Sequence, residues 1–163
     1  MTTTMKKPFW APVLLAAAAA VLVALMGILA TDIGGWYQAL NKPAWQPPDW
    51  LFGPVWTLIY AMAAVAGVSA WLGATDSIGR NRILMLFALN GFLNVLWSLL
   101  FFRMHRPDWA LIEVAFLWLS VIALMVGLRR YSKSAFWLLI PYLVWVSFAA
   151  VLNATIVRLN PGF

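Results

Sequence analysis

Five long stretches of this chain pass almost without charge, and that feature constrains its fold more than any other. They run Ala11–Ala30, Leu51–Leu72, Ile83–Phe102, Trp109–Leu128 and Ala135–Val157, and the only acidic or basic side chain in them is Glu113. Roughly 20 consecutive apolar residues are what a helix needs to cross the hydrocarbon core of a bilayer. Together they take up about two-thirds of the 163 residues, which leaves room for a single membrane domain over 1–163 and no extramembrane one. Strand-like alternation is absent, so a barrel is not expected. The fold class is an all-α integral membrane protein, a bundle of five transmembrane helices.

Composition agrees. Hydrophobic residues make up 64% and charged residues 10%, against roughly 45–50% and about 25% in soluble domains. The net charge of +6 would suit a nucleic-acid partner if it were clustered. Here the basic residues are scattered between apolar runs, as in the loops of a polytopic membrane protein, and no nucleic acid is expected. No cysteine is present, which excludes disulfides, thiolate nucleophiles and cysteine-based metal sites. Lys6 and Lys7 ahead of the first span resemble a signal peptide, but that span exceeds the roughly 7–15 residues of a signal core, so an uncleaved helix is expected. Lys6, Lys7, Arg80, Arg82, Arg129, Arg130 and Lys133 fall on one side, and Lys42, Arg103, Arg106 and Arg158 on the other. That count favours the N-terminus in and the C-terminus out.

Three connections are short, Gly73–Arg82, Arg103–Asp108 and Arg129–Ser134, while Thr31–Trp50 is a long loop of the kind that carries function. Asp32 is placed to cap a helical turn that sets Trp36, Tyr37 and Leu40 on one side. Pro43, Pro47 and Pro48 then force an extended path, because proline fixes φ and disfavours helix in the residue before it. The segment reads as a stiff strap over one end of the bundle, a lid at 31–50. The same tryptophans would also serve as an interfacial belt.

Tryptophan is the odd number, 11 in so short a chain. On the third span Asn90, Asn94, Trp97 and Phe101 form one helical stripe with Ser98 beside it; on the second, Trp56, Tyr60, Ala63, Gly67 and Trp71 do the same, with Pro54 expected in the first turn. On the fifth, Tyr142, Trp145, Ala149 and Asn153 repeat the pattern, and Pro141 should bend the helix. Paired asparagines can serve as interhelical hydrogen-bonding groups, worth about 0.6–2 kcal/mol each, or as the polar edge of an aromatic pocket. Since a greasy ligand gains little by leaving lipid, selectivity would come from stacking, about 0.5–1.5 kcal/mol per aromatic pair. The favoured ligand is large, planar and aromatic with a polar edge. Glu113, one turn inside its helix, either reaches the interface or joins the pocket. The lone His105 reads as a loop residue, since metal sites need several ligands, and no metal site is expected. No G-x-S-x-G, P-loop, H-E-x-x-H or carboxylate pair appears. Small residues at Ala16, Ala20 and Ala24, and at Ala88 and Gly91, would suit self-association.

Four motifs in order, W-Y-Q-A-L-N-K-P-A-W-Q-P-P at Trp36–Pro48, P-V-W-T-L-I-Y at Pro54–Tyr60, N-G-F-L-N-V-L-W-S-L-L-F-F at Asn90–Phe102 and P-Y-L-V-W-V-S-F-A-A-V-L-N at Pro141–Asn153, resemble the tryptophan-rich sensory protein/translocator protein family, formerly the peripheral-type benzodiazepine receptors. The resemblance implies a five-helix membrane protein, often a homodimer, with a pocket closed by the first loop. It implies a receptor or regulator that binds tetrapyrroles such as protoporphyrin IX and haem-like porphyrins, with a part in their transport or disposal. Synthetic isoquinoline-carboxamide and benzodiazepine compounds, and membrane lipid, are further implied partners. The resemblance implies porphyrin as the ligand and no required cofactor. By position, Trp56 and Trp145 match tryptophans implicated in light- and oxygen-dependent porphyrin breakdown. Tyr37, Pro47, Asn90, Asn94, Trp97, Tyr142 and Ala149 match pocket-lining positions, with Tyr60 on the same face, and Trp45 matches the strap. A bacterial cell membrane, inner or outer, is the implied location. Alternatives are sterol or small-lipid binding and a membrane scaffold. The animal sterol pattern lacks its tyrosine in Leu152–Arg158, while Leu128–Lys133 matches it formally.

Overall fold

The computed structural model describes residues 10–162. Among them are α1 (Trp10–Ala30), α2 (Gly35–Ala39), α3 (Asp49–Gly73), α4 (Ser77–Ser98) continued by a π-helical turn (Leu99–Arg103), α5 (Pro107–Arg129), α6 (Lys133–Leu138) and α7 (Ile140–Leu159). Five spans are long and apolar enough to cross a membrane, with α6 and α7 forming the fifth, and the described residues contain no strand. Lys6 and Lys7 lie outside the described residues.

Large apolar side chains face outward as well as inward. Outward faces carry Leu14, Leu22, Leu29, Ile112, Phe116 and Leu119, all exposed, as suits a lipid solvent. α5 is the central element, packed on α4, α6 and α7. Its Val121, Leu124 and Leu128 are buried together with Leu139 and Val146. α1 packs against α3 and α4 at the periphery. Its small-residue face turns into the bundle: Ala16 and Ala20 border one cavity and Ala24 another. Gly91 on α4 lets Val23 approach so closely that a Cβ would stand 3.1 Å from Val23 Cγ2. Gly91 therefore serves close packing within the chain, while the alanines leave space between the helices.

Helix boundaries differ from expectation where local chemistry extends them. α4 begins at Ser77, six residues before Ile83, because Asp76 Oδ1 accepts a 2.6 Å hydrogen bond from the Gly79 amide and caps the helix. Arg80 and Arg82 therefore stand on its first turns. α3 starts at Asp49, so Pro54 lies in the second turn rather than the first. It removes the donor that the Trp50 carbonyl would have had, and Trp50 is exposed. α2 is N-capped by Gly34, without a side-chain cap. Asp32 instead accepts from the Gly34 amide at 2.9 Å, two residues on, as a turn-forming side chain. Pro141 ends α6 and opens α7 with a break at Leu139, since its ring would collide with the carbonyl four residues earlier.

Glu113 corrects one alternative. It does not reach the interface: it is 6% exposed, with both carboxyl oxygens buried and lacking a hydrogen-bond partner. It lies on the inward face of α5 with Ala110 and Leu117, and it lines neither of the bundle's two main cavities.

Replacing Asp76 with alanine leaves the first turn of α4 uncapped. The Asp76→Ala protein should lose about 1 kcal/mol in reversible denaturation in detergent, and Asp76→Ser should recover most of that loss.

Candidate functional site

The three aromatic–polar stripes converge. Tyr60 of α3 donates to Asn94 Oδ1 at 2.7 Å, and Asn94 Nδ2 donates to the Tyr142 hydroxyl at 3.2 Å. Tyr142 donates in turn to Asn90 Oδ1 at 3.0 Å, Asn90 Nδ2 to Ser120 Oγ at 2.8 Å, and Ser120 to the Leu117 carbonyl at 2.7 Å. This is one unbroken relay across α3, α4, α7 and α5. The Tyr142 and Ser120 hydroxyls both accept and donate, Tyr60 donates at the head of the relay, and each asparagine uses its oxygen on one neighbour and its amide on the next. The asparagines thus act as interhelical hydrogen-bonding groups, and both also border a cavity.

The larger cavity, about 440 Å³, lies towards the loop end of the bundle, within the roughly 300–1,000 Å³ usual for small-molecule sites. Tyr37, Trp56, Tyr60, Asn94, Trp97, Trp145 and Ala149 all line it. Trp56 and Trp145 meet edge to face, with centroids 6.5 Å apart and planes at 90°. Trp56 also stacks on Tyr60 at 5.3 Å, and Phe52 meets Trp145 at 5.5 Å. On the opposite wall the π-helical turn sets Phe101 and Phe102 side by side, so both face the cavity beside Trp97. Trp97 is oriented by its indole N–H donating to Asn153 Oδ1 at 3.2 Å, while Asn153 Nδ2 donates to the Pro107 carbonyl at 2.8 Å.

The remaining expected residues fall elsewhere. Asn90 and Tyr142 border a smaller slot, of about 140 Å³, between α1, α3 and α4, where Tyr60 also reaches. Trp45 and Pro47 line neither cavity. Trp45 is half exposed and meets Phe148 edge-on at 5.9 Å, and Phe148 stacks on Trp145 at 5.2 Å. The strap thus braces the back of the Trp145 wall. Phe52, Thr57 and Asp49 line the larger cavity without having been singled out. Phe52 was within reach of the sequence, since it stands one turn before Trp56 on the same stripe.

The loop borders one end of this cavity through Thr31, Ile33 and Tyr37. Tyr37 donates to Asp49 Oδ1 at 3.1 Å and accepts from Gln46 Nε2 at 3.1 Å, and Lys42 Nζ lies 3.8 Å above its ring. At its far edge, Asn41 and Asn160 tie the loop to the end of α7: the Asn41 amide donates to Asn160 Oδ1 at 2.9 Å, and Asn160 Nδ2 to the Asn41 carbonyl at 2.9 Å. Arg103 donates to the Leu29 carbonyl and lies 3.9 Å from Asp32. His105, at positive φ, stacks on Trp36 with centroids 4.2 Å apart. No group of three or more metal-ligating side chains occurs among the described residues. Leu128 is fully buried, so the formal sterol pattern at Leu128–Lys133 does not present its leucine to a ligand. Arg129 lies over Phe136 and Arg130 over Tyr131, as helix-end charges.

Residues 13–159 match the model of the TspO/MBR family. Tryptophan-rich protein TspO of Chlorobaculum tepidum is 44% identical over 131 residues, covering 77% of this chain and 80% of the relative. Protein CrtK of Rhodobacter capsulatus is 33% identical over 129 residues, 79% of this chain and 81% of the relative. The human translocator protein is 32% identical over 129 residues, 78% of this chain and 76% of the relative.

Two outcomes follow from the geometry. Tyr142→Phe strands Asn94 Nδ2 and Asn90 Oδ1 and should cost about 1–3 kcal/mol in unfolding free energy. Burial, with the Asp49 carboxylate alongside, pushes the Tyr37 hydroxyl from 10.0 up to about 12. The folded loop therefore favours the protonated phenol; its contribution is complete below pH 10 and fades as pH rises towards about 12. The near-ultraviolet circular dichroism of the loop aromatics should change across that window, and Tyr37→Phe should remove that part of the transition.

Proposed function

The chain belongs to the TspO/MBR family of membrane proteins, and from that premise we propose that it is a receptor for tetrapyrroles, taking protoporphyrin IX or a related porphyrin into the larger cavity. The carrying observation is the convergence of Trp56, Trp145 and Trp97 on one cavity of about 440 Å³ whose aromatic walls come from α3, α4 and α7. Flat indole faces reward a flat aromatic ligand by stacking, a gain that lipid chains do not match. Asp49, Thr57, Asn94, Ser98 and Asn153 are among the polar positions along walls that are mostly apolar. Tyr37 and its loop form the cover under which a ligand would be held away from water.

Fluorescence titration with protoporphyrin IX tests this reading. Quenching should saturate after inner-filter correction, and Trp145→Leu should weaken binding roughly two- to tenfold, the loss of one stacking partner. Absence of saturable quenching, or an unaltered affinity in the variant, would reject it.

A second reading, light- and oxygen-dependent breakdown of the bound porphyrin, is favoured by the perpendicular Trp56–Trp145 pair. Both indoles border the ligand space, where they can exchange electrons with an excited macrocycle while dioxygen serves as the terminal oxidant. General acid or base groups are not required for such a step. Under illumination in air, the wild-type complex should bleach faster than a Trp56→Phe/Trp145→Phe double variant loaded to the same occupancy. Equal bleaching rates would leave the receptor reading alone standing.

A further inference from the structure

The smaller cavity is built differently from the larger one and calls for a different occupant. Its α1 and α3 walls are rich in small side chains, among them Ala16 and Ala20 of α1 and Ala64 and Gly67 of α3, facing Ile83 and Phe87 of α4. These faces cannot fill the space between the helices, and an empty apolar slot forfeits dispersion contacts along its whole lining. At about 140 Å³ it is narrower than the roughly 300–1,000 Å³ of drug-sized sites. The polar groups at its floor, Asn90 and Tyr142, are already committed to each other and to Ser120 and Asn94. A ligand reaching that floor therefore gains no new hydrogen bond, which favours a hydrocarbon tip.

The slot follows α1 from Pro12 to Val23. Eleven residues at 1.5 Å each span about 16 Å, close to half the roughly 30 Å hydrocarbon core, the reach of one acyl chain from its headgroup towards the midplane. Its outer end is charged. Trp71 lines the slot, and the Arg80 guanidinium lies over the Trp71 ring, 5.4 Å from its centroid. Arg80 Nε is buried and has no hydrogen-bond partner. Arg82, Arg129, Arg130 and Lys133 share this end of the bundle. The acid beside them, Asp76, is engaged in capping α4. Basic residues near a membrane surface attract anionic lipid at about 1 kcal/mol each.

We propose that the slot between α1, α3 and α4 holds one acyl chain of an anionic glycerophospholipid, whose phosphate is received by Arg80 beside Trp71. The site is separate from the larger cavity, and the relay of Tyr60, Asn94, Tyr142 and Asn90 stands between the two. Binding a lipid here also fixes α1, the least buried of the spans, against the rest of the bundle.

Native mass spectrometry of the full chain in detergent, supplied with equal amounts of phosphatidylglycerol and phosphatidylcholine bearing the same acyl chains, tests the proposal. Phosphatidylglycerol should be retained over phosphatidylcholine by about fivefold, the factor that corresponds to about 1 kcal/mol. Arg80→Gln should abolish that preference and Arg80→Lys should keep most of it. Ala20→Phe, which fills the slot, should reduce retention of both lipids. Equal retention of the two lipids by the wild type would overturn the proposal, as would an unchanged preference in Arg80→Gln. So would an Ala20→Phe protein that changes its oligomeric state while retaining lipid as before, since a second copy of the chain would then be what covers this face.

Discussion

Inside a bilayer no water is at hand to satisfy a stray hydroxyl or amide, so a polar side chain turned into the bundle is costly unless it finds a partner there, as Glu113 does not. The relay from Tyr60 through Asn94, Tyr142, Asn90 and Ser120 to a backbone carbonyl meets that demand. It also fixes how four helices are rotated about their own axes. Turning α4 by a fraction of a turn would break bonds to three neighbouring helices together. Dispersion between lipid-like surfaces is weakly directional, so this relay is what sets the aromatic stripes face to face.

The two cavities follow from that arrangement. On one side of the relay, large rings prop the helices apart and leave a broad space roofed by the loop. On the other, alanines and glycines leave a narrow slot open towards α1. The loop itself is secured at both edges, by Asn41 with Asn160 and by Asp32 with Arg103, and is knotted internally at Tyr37, Gln46 and Asp49. It is a structured cover, with Trp45 bracing the wall behind Trp145 from outside.

Much of this was legible beforehand. The number of spans, their approximate limits and the stripes on the second, third and fifth spans follow from length, hydropathy and the 3.6-residue period, all local properties. Boundaries moved where a single side chain intervened: Asp76 capping α4, or Pro141 breaking the last span at Leu139. Phe52 lay on a stripe already recognised. Asn153 stood in the pattern, but its task of aiming Trp97 while holding the Pro107 carbonyl depends on α5 arriving beside α7.

The sequence by itself determined a five-helix membrane protein with aromatic, amide-bearing faces, because hydrophobicity and helical period are written along one strand of chain. Tertiary structure alone decided that Glu113 lies buried without a partner, that Trp45 stands outside the cavity and that Asn90 and Tyr142 border the slot instead of the larger space. A helical period says which residues share a face; it does not say which neighbour that face meets. That choice belongs to the contacts between helices, where a partner distant in sequence completes or refuses each hydrogen bond.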